Sequence, residues 1–272
     1  MHVAAAKNVL IVYAHQSPTS FNAAAKDVAV KALQAQGCNV VLSDLYAMNF
    51  KAQATADDII GEPLNSDNFQ YAEETMAALK ENRLSADIIE EQKKVLEADL
   101  ILFQFPMYWS TVPAILKGWL DRVFTKGFAY SDEHMYSNGF FKDKKAMLSF
   151  TTGALESMFN SSGINGDMNV TLWPLQNGIL HFCGFQVLAP QIFWAPSGTS
   201  PDDRKTMLDR WQKRLEVLLE EKPLCLTALE WFDGSEGFQM KQSEREKWEA
   251  EAHGPTVGHH LGKPLRPNSQ LL

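Results

Sequence analysis

Pro106-Met-Tyr-Trp109 places two aromatic side chains directly after the apolar run Ile101-Leu-Phe-Gln-Phe105 and ahead of Val112-Pro-Ala-Ile-Leu-Lys-Gly-Trp119. Pro106 ends a strand, and after Pro113 the chain restarts as a helix. Tyr108 and Trp109 therefore fall on a loop at the carboxyl end of a strand, where open α/β sheets hold flat ligands. Two further loops have complementary chemistry. His15-Gln-Ser-Pro-Thr-Ser-Phe-Asn22 combines an imidazole, hydroxyls, an amide and the start of a helix, a donor set suited to phosphate oxygens. Thr151-Thr-Gly-Ala154 offers small side chains and backbone donors along the edge of a planar ring. Singly, each loop has an ordinary structural reading: hydroxyls cap helices without a ligand, and Tyr108 or Trp109 can be core or interface aromatics. In register they point to a bound flavin, because each addresses a different part of that cofactor.

Other chemistries fit less well. The first turn lacks the Gly-x-Gly-x-x-Gly of nicotinamide-binding Rossmann domains, and no Gly-x-x-x-x-Gly-Lys-Ser/Thr occurs. Ser149 and Ser157 lie outside any Gly-x-Ser-x-Gly elbow, which disfavours an esterase. His181, Cys183, Cys225 and the His259-His260 pair lack metal-site spacing, so no metal is expected.

The elements that must carry these loops follow from periodicity. Val9–Tyr13 is a short, continuously apolar run, the mark of a strand buried on both faces. A helix over 22–36 stops at Gly37, and Asn39–Ser43 reads as the second strand, a right-handed parallel crossover. Residues 47–85 are irregular, with helical character near 71–81. The patterns then predict a helix over 87–97, a strand over 100–105, a helix over 112–124 and a strand over 145–150. A helix over 172–182 despite Pro174, a strand over 185–193 and a helix over 202–220 complete the series. The expected fold is an α/β, flavodoxin-like open parallel sheet of five strands covered by helices. We assign residues 1–222 to this domain and 223–272 to a C-terminal appendage, with a short charged helix near 243–252, packing on the domain or a neighbouring subunit.

With 272 residues and a formal charge of −8, the chain can bury a large core and is poorly suited to nucleic acid. Three scattered cysteines suggest reducing, cytoplasmic surroundings, and no run of 18 apolar residues could span a membrane.

Leu10–His15, Ser20–Asn22, Ser43–Phe50, Phe103–Pro106, Val112–Trp119, Gly166–Asn169 and Leu180–Phe185 make the chain resemble the vertebrate NAD(P)H:quinone oxidoreductases. The likeness extends both to the DT-diaphorase branch and to the sister branch that prefers ribosyldihydronicotinamide. Val257–Lys263 resembles the C-terminal tail of the former, which the latter lacks. The resemblance implies a homodimer containing FAD that reduces quinones by two electrons in ping-pong fashion, with reduced nicotinamide as donor. It implies that His15, Ser20, Phe21, Asn22 and Gln70 hold the nucleotide half of FAD. Pro106, Met107, Tyr108 and Trp109 then flank the ring system, with Thr151, Thr152, Gly153 and Ala154 along its other edge. Tyr130, Met135 and Met158 line the substrate pocket from the two subunits.

Several positions depart from the family pattern. Phe159 and Asn165 stand where DT-diaphorase has the tyrosine and histidine that accommodate charge on the reduced ring; with Gly153 they are the candidate catalytic positions. The sister branch shares the asparagine but keeps the tyrosine. Asp132 replaces a gating tyrosine and adds negative charge at the mouth, Ser110 replaces a phenylalanine beside Trp109, and Ala154 follows Gly153 where a second glycine is usual. Asn177 breaks the sister branch's metal trio, leaving His181 and Cys225. A second reading follows from these changes, an FAD-binding homodimer with weak turnover that acts mainly as a binding or stabilising partner.

Overall fold

Strands that are apolar on both faces need cover on both sides, and the computed structural model, which describes residues 6–265, has it. β1 (Asn8–Tyr13) leads through α1 (Phe21–Ala35) to β2 (Asn39–Asp44), and α2 (Tyr71–Lys80) and α3 (Ala86–Glu97) precede β3 (Leu100–Pro106). α4 (Ala114–Val123) precedes β4 (Lys145–Thr151), α5 (Met168–Leu175) precedes β5 (Gln186–Val187) and β6 (Gln191–Phe193), and α6 (Pro201–Leu215) follows. The strands pair in parallel in the order β2-β1-β3-β4-β5, with β6 also on β4.

Alternate residues of each central strand feed separate cores. Leu10, Val12, Ile101, Phe103, Phe105, Leu148 and Phe150 face α3, α4 and α5, packing with Val95, Leu116, Trp119 and Leu172. Val9, Ile11, Leu100, Leu102 and Met147 face α1 and α6, packing with Ala25, Ala29, Leu33, Trp211 and Leu215. This two-sided burial is why the strands show no polar alternation.

The expected strand over 185–193 is broken in two. Ala146 pairs with Val187 and Ser149 with Gln191, so Leu188, Ala189 and Pro190 stand opposite only Met147 and Leu148. That extra residue is a bulge, and Pro190 cannot donate to the ladder. Arg214 satisfies the bulge instead, donating to the carbonyls of Ala189 at 2.7 Å and Pro190 at 2.9 Å. Two helices also differ from expectation. α5 starts at Met168, earlier than predicted, because Asp167 caps it by accepting the Asn169 N–H at 2.8 Å. Directly beyond Pro174 it widens into a π-helical stretch, Gln176–His181. A proline inside a helix removes one hydrogen bond and crowds the preceding turn, which disfavours the regular ladder. α6 ends at Leu215, not 220, where Arg214 turns to pair with Glu221 at 2.8 Å.

The irregular stretch before α2 is organised around one buried cation. Arg122 on α4 binds both oxygens of Asp58, at 2.9 and 3.1 Å, and reaches Asp87 on α3 at 2.6 Å and the Lys51 carbonyl at 3.0 Å. Tyr71 adds a hydroxyl donor to Asp58 at 2.8 Å. Beyond α6, Leu224 donates its N–H to Val187 at 2.7 Å and, with Leu226, packs on the larger core. A small hairpin of β7 (Phe232–Asp233) and β8 (Gln239–Met240) and the helix α7 (Gln242–Glu249) follow. The tail then returns over α5, where Gly258 lies so close to Trp173 that a Cβ would fall 2.2 Å from the indole.

Candidate active site

Ser20 caps α1, its Oγ accepting the Ala23 N–H at 3.1 Å and donating to the Ser17 carbonyl at 2.9 Å. The N–H groups of Phe21 and Asn22 have no acceptor among the described residues, as expected for the first turn of a helix. His15 accepts the Ser17 N–H at Nδ1, 2.9 Å away, which puts the proton of the neutral ring on Nε2. Burial pushes its pKa below the usual imidazole value, so the loop presents a neutral donor and not a cation. Phe21 packs edge-on against Phe193 at 5.2 Å.

The loop after β3 is a two-residue hairpin turn. Tyr108 and Thr111 exchange both backbone hydrogen bonds at 3.0 Å, and the residues between them, Trp109 and Ser110, have φ of +50° and +60°. This is the geometry of a type I′ turn, a place normally taken by Asn-Gly. A tryptophan there is an outlier, and such strain concentrates at functional sites. The result is an indole 99% exposed, lifted off the protein beside the half-buried Met107.

The loop after β4 is held from beneath. Thr152 donates to the Ala154 carbonyl at 2.8 Å and accepts the Ala195 N–H at 3.1 Å, while its own N–H reaches Phe193 at 3.0 Å. Gly153 is exposed, and a Cβ on it would meet nothing within 4 Å. Further on, Phe159 packs on Trp194 at 5.7 Å. Asn165 is exposed at the end of a compact loop, its N–H on the Met158 carbonyl at 2.9 Å.

These loops are braced together. Met107 donates its N–H to Thr151 at 2.8 Å, and the Gln16 amide lies 3.5 Å from the Tyr108 hydroxyl. Below them runs a buried chain: Ser149 donates to Gln104 at 2.7 Å, Gln104 to Asn22 at 2.9 Å, and Asn22 to Thr151 at 2.9 Å. Asn22 and Thr151 thus use their side chains within this chain, and Thr152 uses its own on Ala154 and Ala195. These side chains thereby position the loops, since a buried amide or hydroxyl must keep its partners. Gln104 and Ser149 were missed from sequence. A lone amide inside an otherwise apolar strand was the available signal.

Other predicted residues stand apart. Gln70 is exposed at the start of α2, where its carbonyl accepts the Glu74 N–H at 2.9 Å. Tyr130 packs on Phe182 at 5.4 Å, and the half-buried Met135 lies on the same side. Burial raises the Tyr130 pKa, keeping its hydroxyl protonated. No hydrogen bond or ring contact among the described residues joins Gln70, Tyr130 or Met135 to the three loops. Asp132 is 88% exposed and pairs with Lys126 at 3.2 Å, so its negative charge is partly offset. His181 donates its Nε2–H to the Thr227 carbonyl, 2.8 Å away, and Cys225 is exposed. Burial pushes the Cys183 thiol up to about 12, which leaves it an inert core residue.

The site suits a flat, phosphate-bearing cofactor. Free N–H groups at the start of a 15-residue helix favour an anion, the outward indole offers a stacking face, and the open ridge at Gly153 admits close approach. A parallel sheet in this order with its polar loops at the carboxyl edge defines a flavodoxin-like protein, and the flavodoxin-like fold family matches residues 7–215. A relative from Rattus norvegicus, NAD(P)H dehydrogenase [quinone] 1, is 51% identical over 269 residues, covering 98% of each chain. Ribosyldihydronicotinamide dehydrogenase [quinone] of the same species is 53% identical over 230 residues, covering 85% of this chain and all of the relative. A Klebsiella pneumoniae crystal structure provisionally designated a quinone reductase superposes with a TM-score of 0.83 at 35% identity, covering 94% of this chain and 100% of that one. The chain belongs to the NAD(P)H and ribosyldihydronicotinamide dehydrogenase [quinone] family.

Proposed function

We propose that the protein reduces quinones by two electrons, using a reduced nicotinamide donor and bound FAD. The carrying observation is the fully exposed Trp109 indole, held on a strained turn between the first and third sheet-edge loops. The bound flavin would accept hydride from the nicotinamide and pass it to the quinone, and the two substrates would use one pocket in turn. The chain's own part is orientation. The start of α1, with Ser20 and the Nε2–H of His15, would bind phosphate; Trp109 and Met107 would stack on the ring; Gly153 would leave room at its edge. The buried Gln104 brace keeps the loops in register, so little ordering is left for the moment of binding.

Tyr130, Met135 and Gln70 are separate from these loops within one chain, which supports a homodimer whose second copy completes the pocket. Phe159 carries no hydroxyl and Asn165 cannot give up a proton at neutral pH. Lacking one donor costs on the order of 1–3 kcal/mol of transition-state stabilisation, roughly tenfold to a few hundredfold in rate. That observation favours the second reading, a flavoprotein dimer of weak turnover serving mainly as a stabilising partner. One experiment separates the two. The purified protein is checked for released FAD or FMN, then assayed for quinone-dependent oxidation of NADH, NADPH and the ribosyl analogue. FAD with turnover supports the enzyme, FAD with very slow flavin reduction supports the partner role, and a colourless protein defeats both.

A further inference from the structure

Asn-Gly occurs three times in the chain, at 138–139, 165–166 and 177–178. In such a pair the side-chain amide carbon lies within reach of the next backbone nitrogen, and glycine has no Cβ to screen it. Attack by that nitrogen closes a five-membered ring and expels ammonia. The ring forms only where the backbone is free to rotate and bring the two atoms together. The fold therefore decides which of the three pairs reacts.

Two are held. Asn177 and Gly178 lie inside the π-helical stretch Gln176–His181, and Asn177 is only 9% exposed, so rotation there would break backbone hydrogen bonds in a buried segment. Gly139 is buried and so tightly wedged that a Cβ on it would fall 2.5 Å from the Gly184 nitrogen. Its own N–H is fixed on the Tyr136 carbonyl at 2.8 Å.

Asn165-Gly166 is different. It ends the tight turn 163–166, closed by the Gly166 N–H on the Gly163 carbonyl at 3.0 Å. Asn165 is exposed, and its side chain has no hydrogen bond among the described residues. Ile164 beside it is 86% exposed, so no buried side chain anchors the tip of the turn. A Cβ on Gly166 would meet nothing within 4 Å, which leaves the space around its nitrogen open. A segment tied down by so little opens locally, far more readily than the whole protein unfolds.

We propose that Asn165 deamidates spontaneously in the folded protein. The Gly166 nitrogen bonds to Asn165 Cγ, the Cγ–Nδ2 bond breaks, and the Gly166 N–H proton leaves with the amide as ammonia. Water then opens the succinimide at either carbonyl, giving aspartate or isoaspartate, each with a new negative charge. Isoaspartate also adds one main-chain atom shortly before Asp167, the cap of α5. If the quinone-reductase reading holds, on which this consequence rests, the new carboxylate opposes the charge gained by the reduced flavin and slows its reduction as the protein ages.

The test holds the full-length protein for several days in warm, mildly alkaline buffer and maps its peptides by mass spectrometry. Conversion at Asn165 at least about fivefold faster than at Asn138 or Asn177 is expected, as local opening predicts. Asn165→Gln, which would need a six-membered ring, should abolish it. Conversion no faster at 165 than at the other two pairs overturns the proposal. So does an amide still intact at 165 when the same peptide, cut from the protein, has largely converted. Stopped-flow reduction should be at least about threefold slower in the aged protein and in Asn165→Asp than in the fresh parent, and an unchanged rate overturns the link to the site. A fresh parent that reduces no flavin with any donor defeats the reading of function, while the masses still decide the modification.

Discussion

Replacing Ser110 with glycine should stabilise the protein, and the turn geometry sets how much. Ser110 sits at φ +60° beside Trp109 at +50°, and an L-residue in the left-handed region costs roughly 1–2 kcal/mol that glycine does not. The substitution sacrifices little in contacts, since Ser110 is exposed and its hydroxyl has no hydrogen-bond partner among the described residues. Against the gain stands the greater freedom of glycine in the unfolded chain, about 0.4–1 kcal/mol. The net is a gain of about 0.5–1 kcal/mol, or about 1–3 °C in Tm for a chain of this size. Trp109→Gly relieves the same strain, and because the indole is 99% exposed it forfeits almost no burial. Its stability should rise similarly while quinone reduction falls steeply, the pattern of a site that keeps strain for function. Urea unfolding followed by circular dichroism measures the first effect, and steady-state quinone reduction the second. A lowered urea midpoint for Ser110→Gly refutes the strain argument. Parent-like activity in Trp109→Gly refutes the stacking role.

Phe159→Tyr should raise the rate of flavin reduction severalfold, toward about tenfold, without changing FAD affinity; stopped-flow reduction at a fixed donor concentration reads it, and an unchanged rate means the hydroxyl was not limiting. Arg122→Met should cost about 3 kcal/mol in urea unfolding, because it takes the guanidinium from the buried Asp58 carboxylate and leaves it only Lys51, Tyr71 and the Thr55 N–H. Adding Asp58→Asn should recover much of that loss, and a strictly additive double variant would count against the pairing. Burial alone would raise the Asp58 and Asp87 carboxyls, yet hydrogen bonds from Arg122, joined by Lys51 and Tyr71 at Asp58 and by Ser85 at Asp87, hold both below the usual carboxylate range. Their folded pKa values lie below the unfolded ones, so the stability they confer is present above about pH 4 and lost as the pH falls further. Acid unfolding curves should show that limb in the parent and a flatter one in Arg122→Met. Thr152→Val should cost about 1–3 kcal/mol by leaving the Ala195 N–H without its acceptor, and thermal unfolding that matches the parent would remove Thr152 from the brace.

Much of the architecture is written locally. The apolar runs at 9–13, 100–105 and 145–150 become β1, β3 and β4 because a strand covered on both faces leaves no room for polar alternation. Loop chemistry at the carboxyl edge was legible for the same reason: His15–Asn22, Pro106–Trp109 and Thr151–Ala154 each follow such a run. Periodicity also carried α1 and α3 to within a residue or two at either end. It failed where one residue altered the ladder, at Pro190 in the bulge and beyond Pro174 in the widened helix, since a period cannot report a single missing N–H.

What the chain alone determined, then, is which segments lie in the sheet and which chemistry each loop displays, because burial and capping act between neighbours in sequence. Tertiary structure decided the rest. Nothing in Trp-Ser announces a left-handed turn; the paired Tyr108 and Thr111 backbones impose it. The brace joins Asn22 to Thr151, 129 positions apart, and Arg122 gathers Asp58 and Asp87 from two other segments. Such contacts depend on how elements pack and not on what surrounds each residue along the chain. For that reason only the fold shows Asn22 and Thr152 working as supports, and Tyr130 and Met135 set apart from the three loops of their own chain.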